Sequence, residues 1–321
     1  MLFFGKRNYA RIVRVMACFL SVALLLCACA EIPQKQGETV TITDALGRRV
    51  DVPRSPARTA ALQGSLADLF LLAGGTLCAA ASDAWEDLSL PLGDAVSVGG
   101  AHSPSLEAIL AANPALVIAS AAIPAHVALA DPLSHVGIAV LYFDIVSFED
   151  YLSALETLTV ITGRADLYQQ NGIAVKNAVD RVKSAYADAS LDAVQRKVLL
   201  LRVGAGKIKA KGSVGTVLGE MLLDIGCQNI ADADGTLLDT LSAEAVLQNE
   251  PYHIFVVCMG ADMQAAHASL SELISENPAW GALTAVKEGR LHFMEKSLFH
   301  LKPNARWGEA YEILAKTLMG E

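Results

Sequence analysis

The chain has 321 residues, 53% of them hydrophobic, with 25 Lys and Arg against 34 Asp and Glu, a formal net charge of −9 at pH 7. Such acidity argues against a nucleic-acid binder and against a polybasic membrane-binding face, both of which need concentrated positive charge. Even without its leader the chain exceeds what one hydrophobic core usually supports, so two domains are expected.

The first 28 residues read as a leader. Lys6, Arg7, Arg11 and Arg14 form a basic start, Val15 to Cys27 an apolar run too short to span a bilayer comfortably, and small residues surround Cys29. Leu26-Cys27-Ala28-Cys29 resembles a bacterial lipobox, which implies cleavage before Cys29 and a diacylglycerol thioether on its sulfur. An ordinary signal peptide and an N-terminal membrane anchor are the alternatives, and each of them also exports the body of the protein. Removing residues 1–28 leaves 21 basic against 34 acidic residues, a net charge of −13. Residues 29–38 are polar, with Pro33 and Gly37, and read as a tether. No later run of 18 apolar residues follows, so the lipid is the one membrane contact expected.

Residues 39–146 alternate strand and helix. Thr39–Thr43 and Arg48–Val52 flank Asp44-Ala-Leu-Gly47 and predict an opening hairpin. Strands are expected at Arg58–Leu62, Leu77–Ala81, Leu116–Ser120 and Ala139–Phe143. Helices are expected at Ser65–Ala73, ending at Gly74-Gly75, and near Ala125–Ser134. Such alternation is the signature of an α/β lobe with a mainly parallel sheet.

From Ser147 to about Ser190 the pattern is helical throughout. Tyr151, Leu155, Leu158 and Ile161, then Ile173, Val175, Ala178, Val182 and Ala185, recur at helical spacing, with Asn171-Gly172 a soft interruption. Residues 191–321 return to α/β alternation: a strand at Lys197–Val203, a helix at about Val214–Ile225, strands at Ile254–Cys258 and Leu291–Glu295, and a closing helix from about Asn304 to Met319.

One segment occurs twice. Ser105-Leu-Glu107-Ala-Ile-Leu-Ala-Ala-Asn-Pro114 returns without insertion as Ser242-Ala-Glu244-Ala-Val-Leu-Gln-Asn-Glu-Pro251. In each copy a serine can cap a helix, a glutamate falls in its first turn, a proline ends it, and an apolar strand follows. The repetition implies two similarly built lobes.

Enzyme motifs are missing. Gly64-Ser65 lacks the nucleophile elbow, Gly204-Ala-Gly206-Lys lacks phosphate-loop spacing, and Gly212-Ser-Val-Gly215 is not a dinucleotide fingerprint. The seven histidines form no His-x-x-x-His pair, which weakens capture of a bare zinc or manganese ion. Cys78, Cys227 and Cys258 lie in or beside apolar segments and read as small buried hydrophobes, with one disulfide left open.

Thr41-Ile-Thr-Asp-Ala-Leu-Gly-Arg-Arg-Val-Asp-Val-Pro53, Val98-Gly-Gly with Ser103–Ser120, and Asn277-Pro-Ala-Trp280 through Leu291 together resemble the iron-siderophore and cobalamin class of ABC-transporter substrate-binding proteins. The resemblance runs from about Thr39 to the C-terminus. It implies two Rossmann-like lobes with mainly parallel sheets, joined by one long α-helix, with a ligand groove between them. It also implies that Glu107 and Glu244 dock onto a membrane permease dimer coupled to ATPase subunits. Two first-turn glutamates facing outward are compatible with that role, and also with plain compensation of the helix dipole.

Ligands of open α/β lobes meet loops at the carboxyl ends of strands. In the first lobe that edge offers Gln63, Gly64 and Ser65, then Asp83 and Trp85, then His102, and later Ala121 and Tyr142. The second lobe offers Arg202, the alternating Lys207, Lys209 and Lys211, Met259, and the loop Phe299–Arg306 with His300, Lys302 and Arg306. The lysines share one face of an extended segment and could draw an anionic chelate. The function expected is extracytoplasmic capture of a chelated iron complex, a ferric siderophore ahead of haem or cobalamin, with no cofactor or resident metal. A lipid-anchored extracellular enzyme using the same cleft is the alternative.

Overall fold

The computed structural model describes residues 38–189, 191–260 and 263–320. The leader, Cys29 and all but the last residue of the tether lie outside the described residues. No helix among the described residues is long and apolar enough to cross a membrane.

The opening hairpin forms from β1 (Thr39–Thr43) and β2 (Arg49–Pro53). The buried Asp44 carboxylate closes its turn, accepting the Leu46 and Arg48 N–H groups and pairing with the Arg48 guanidinium at 2.6 Å. Gly47 supplies the left-handed residue that the turn requires, with φ 75°.

Five parallel strands make the first sheet: β3 (Thr59–Ala61), β4 (Ala79–Ala80), β5 (Val96–Ser97), β8 (Leu116–Ser120) and β9 (Ala139–Phe143), in the order β5-β4-β3-β8-β9. The two-residue strands β6 (Gly99–Gly100) and β7 (Ser103–Pro104) form a small ribbon beside it. Where one helix is expected near 125–134 there are two, Pro124–Val127 and Ala130–His135. Pro132 has no N–H to offer the Ala128 carbonyl, so the first helix cannot run on.

The second sheet contains β10 (Lys197–Gly204), β11 (Lys207–Lys211), β12 (Gln228–Asn229), β13 (His253–Cys258) and β14 (Leu291–Met294). Its order is β11-β10-β13-β14, with β12 also on β10, and only β11 runs antiparallel. Both sheets are thus mainly parallel, as the alternation of elements predicts.

Between the sheets the chain is helical but not one rod. Ser147 and Asp150 form a reciprocal capping box that starts the helix Phe148–Thr162, and Gly163 ends it at φ 74°. A second stretch runs from Ala165 to Asp188, with a π turn at Gln169–Ile173 holding the Asn171-Gly172 interruption. That turn is tied down because Asn171 donates to the Leu72 carbonyl and accepts from the Tyr151 hydroxyl.

One apolar core runs through both sheets. It joins Leu66, Phe70, Leu116 and Leu141 from the first to Leu200, Met221, Phe255 and Trp307 from the second, through Tyr151, Leu155 and Leu158 of the connecting helix. Trp307 is 0% exposed and meets Phe148 edge-on at 5.7 Å. Consistent with a shared core, Val40–Glu321 forms one compact unit.

Candidate ligand site between the two sheets

The carboxyl ends of the two sets of strands face each other. Three contacts fix this: Lys296 pairs with Asp87 at 2.9 Å, and the Asn304 amide donates to the Ser65 carbonyl at 2.9 Å and to Asp68 at 2.8 Å. Lys296 and Asn304 follow β14, whereas Ser65, Asp68 and Asp87 follow β3 and β4.

On the first wall, Gln63 precedes the helix Gly64–Leu72 directly after β3, and its side chain makes no capping hydrogen bond. A Cβ on Gly64 would meet the backbone of Ala84 at 2.8 Å, so only glycine lets this helix start flush against the turn Asp83–Glu86. Both Asp83 carboxylate oxygens accept the Gly64 N–H, at 2.9 and 3.0 Å. Burial pushes the Asp83 carboxyl above its ordinary range, and the charges of Asp87 and Glu86 add to this against the Gly64 hydrogen bond. Trp85 is half-buried against the small core of Ala61, Ala67 and Ala80.

On the second wall, strand register decides where the cations point. Arg202 lies opposite Lys209, Leu200 opposite Lys211 and Gly204 opposite Lys207. Opposed residues of an antiparallel pair project from the same face, so Lys207, Lys209 and Lys211 share the face of Leu200 and Arg202. Leu200 belongs to the core that reaches the first sheet, while Leu199, Leu201 and Val203 belong to the outer core. The cations therefore continue the inward face. None of Arg202, Lys207, Lys209 and Lys211 has an ion-pair partner among the described residues. Burial presses Arg202 toward its neutral form, and burial together with Arg202, Lys209 and Lys207 does the same to Lys211.

The segment after β14, from the helix Lys296–Phe299 to Arg306, straps this wall to the first. Lys302 is half-buried. Burial depresses its ammonium, opposed by Asp144 and Asp83 of the first wall and reinforced by Arg202. On the same strap the His300 imidazole is pushed down to about 4 by burial, with Arg202, Lys302 and Lys296 adding to the fall and Asp87 opposing it.

Several residues expected at the ligand edge sit otherwise. Tyr142 is 0% exposed and its hydroxyl donates to the His126 carbonyl, so it has no surface to offer a ligand. Ser65 is buried beneath Asn304. Arg306 turns outward, its guanidinium gripped by Glu309 at 2.7 and 2.8 Å with Glu295 beside it. His102 is exposed at the tip of the β6–β7 ribbon, and Met259 packs half-buried against the shared core. Cys78, Cys227 and Cys258 are unpaired thiols.

Other residues at these edges give no sequence signal. Lys296, Asp87, Asp144 and Asn304 act through partners more than a hundred residues away or on another strand end. His126 is a buried histidine of the first lobe: its Nδ1 accepts the Ser120 N–H, which leaves Nε2–H to donate to the Ala101 carbonyl at 2.6 Å. Burial keeps it neutral.

The duplicated segment keeps its geometry. The Ser105 and Ser242 hydroxyls accept from Ala108 and Ala245 N–H, the two helices end at Asn113 and Glu250 with φ 46° in both, and Glu107 and Glu244 are exposed. A cavity of about 630 Å³ beside Arg58, Cys78 and Asp94 lies at the opposite, amino-terminal ends of the first sheet's strands.

Comparison with solved structures finds the same architecture. Siderophore binding protein BauB, bound to a complex between two molecules of acinetobactin and ferric iron, matches with a TM-score of 0.68 at 20% identity, over 88% of this chain and 97% of that one. Staphylococcus aureus SirA complexed with staphyloferrin B matches at 0.65 and 21%, over 88% and 98% of the two chains. The periplasmic heme-binding protein RhuT from Roseiflexus sp. RS-1 matches at 0.66 and 19%, over 82% and 98%. Comparison with curated proteins finds no match. A periplasmic binding protein family model matches residues 60–298, a span that contains both sheets and the helical connection. On that match, and on two facing lobes of mainly parallel strands, the chain belongs to the periplasmic binding protein family.

Proposed function

We propose that this protein captures an anionic ferric chelate outside the cytoplasm and delivers it to an ABC permease. One observation carries the reading: Arg202, Lys207, Lys209 and Lys211 stand on one inward face with no counter-ion among the described residues. Lys296 and Lys302, by contrast, already have Asp87, Asp83 and Asp144 beside them. Arg202 and Lys211 are half-buried, while Lys207 and Lys209 are exposed beside them; half-buried positive charge is costly unless something neutralises it, and a carboxylate or catecholate ligand supplies that charge through charge-assisted hydrogen bonds. The ferric complex bound by the siderophore binding protein BauB supports the class. Haem and cobalamin present less negative charge to such a wall.

The same reading gives Glu107 and Glu244 to the permease, residues 39–146 and 191–321 to the two lobes with 147–190 as the bridge, and Cys29 to a lipid anchor. The test is titration of intrinsic fluorescence, to which Trp85 contributes from the edge of the cleft, with ferric carboxylate and catecholate siderophores, a neutral ferric hydroxamate, haem and cobalamin. Saturable quenching strongest for the anionic complexes is expected. Equal affinity for the neutral hydroxamate would overturn the charge argument.

A further inference from the structure

We propose that Leu110 and Leu247 are paired apolar anchors through which the two lobes hold a membrane protein of two-fold symmetry. They extend the permease reading of Glu107 and Glu244, on which this proposal rests, with contacts that salt does not screen.

The two leucines stand at the same place of the duplicated helices, three residues after each glutamate. One residue earlier, Ile109 and Val246 are both 0% exposed and pack into the cores on the outer faces of the two sheets. The helices Leu106–Ala112 and Ala243–Asn249 are therefore turned alike against their sheets. That rotation makes Glu107 and Leu110 neighbours on one outward face, as it does Glu244 and Leu247. Leu110 is 39% exposed and Leu247 38%. Single exposed leucines are ordinary on any surface. Of the fourteen large hydrophobic side chains exposed among the described residues, however, these two alone occupy matching places of the repeat.

Compensation of the helix dipole accounts for a first-turn glutamate but not for an exposed leucine one turn later. Neither glutamate has an ion-pair partner among the described residues, so each patch presents a carboxylate without a counter-ion beside an apolar side chain. Its complement is a cation next to an apolar dent. Two such patches on one chain call for a partner that offers that complement twice, and a dimer with a two-fold axis does so with a single kind of subunit. The serine caps and left-handed ends fix both helices before contact, so little ordering is lost on docking. The carboxylates steer and orient the encounter, and the leucines slow dissociation.

The test is photo-cross-linking in the producing cell, with p-benzoylphenylalanine in place of Leu110 in one strain, of Leu247 in a second, and of the 58% exposed Val136 in a third. Adducts from positions 110 and 247 with one and the same polytopic membrane subunit are expected, and none from position 136. When Leu110→Gln is added to the second strain, its adduct should fall about threefold, the loss expected for part of one leucine side chain left in water, whereas Val136→Gln leaves it unchanged. No adduct from either leucine position, adducts from one lobe only, equal adducts from position 136, or adducts solely with a second copy of this chain overturn the anchors and leave the glutamate docking standing. Full uptake by cells carrying Glu107→Lys with Glu244→Lys sinks the docking reading and the anchors with it.

Discussion

Replacing Arg202 by Gln should move binding and stability in opposite directions. Arg202 is half-buried, lies opposite Lys209 in the β10–β11 register, and also bears on Lys211, His300 and Lys302. Like charges facing each other across two strands cost about 0.2–1 kcal/mol, so Gln should leave the unfolding midpoint unchanged or slightly raised. In the complex the guanidinium would make a charge-assisted hydrogen bond worth about 1.5–3 kcal/mol, so its loss should weaken an anionic ferric complex by about 10- to 150-fold. Fluorescence titration gives the affinity and urea unfolding gives the stability. Unchanged affinity would refute the reasoning, and so would a variant that loses stability and affinity together, since that would mark Arg202 as a structural residue.

Trp307→Ala should cost about 3–5 kcal/mol in urea unfolding, because a ring 0% exposed and packed on Phe148, Tyr151 and Tyr311 leaves a cavity where the two lobes share a core; a loss under about 1 kcal/mol would contradict the shared core. His253 is 2% exposed, lies 3.0 Å from His292 Nε2, and is pushed down to about 4 by burial, then by His292 and Arg290. Its neutral form is therefore the native one, so it adds stability above the unfolded value near 6.5 that is lost as pH falls toward 4, on the order of 3 kcal/mol in all. His253→Phe should flatten the acid limb of a stability-versus-pH curve, and an unaltered limb would exclude this pair as its cause. Glu107→Lys with Glu244→Lys should abolish uptake by whole cells while solution affinity stays within about twofold, as expected of exposed first-turn residues; full uptake by the double variant would remove their docking role.

What the sequence made legible was local. Ser105 and Ser242 announce caps because the hydroxyl, the third N–H and the proline stop are set within ten residues, and all of them form. The lysine face was legible because a period of two fixes it whatever the partner strand. The ends of the helical connection were also readable, yet the break at Gly163 was not, since hydrophobic spacing continues through it and only the left-handed cap reveals the stop. The strap was hidden for a different reason. Asn304 and Lys296 gain their roles from Ser65, Asp68 and Asp87 more than two hundred residues earlier, and no pattern near them records that meeting. Strand ends could be located, but not which side chains turn inward there, so Tyr142 was expected at the edge and lies in the core. Arg306 was nearly readable, because Glu309 stands three residues on along the same helix face.

The central claim is that the cleft holds an intact anionic iron complex. Native mass spectrometry of the protein isolated with its cargo from an iron-limited producing cell tests it most directly. An adduct of one chelate, carrying the iron isotope pattern and released as an anion when the protein is denatured, is the result expected. A metal-free cargo, or a cationic or neutral chelate at full occupancy, would contradict it.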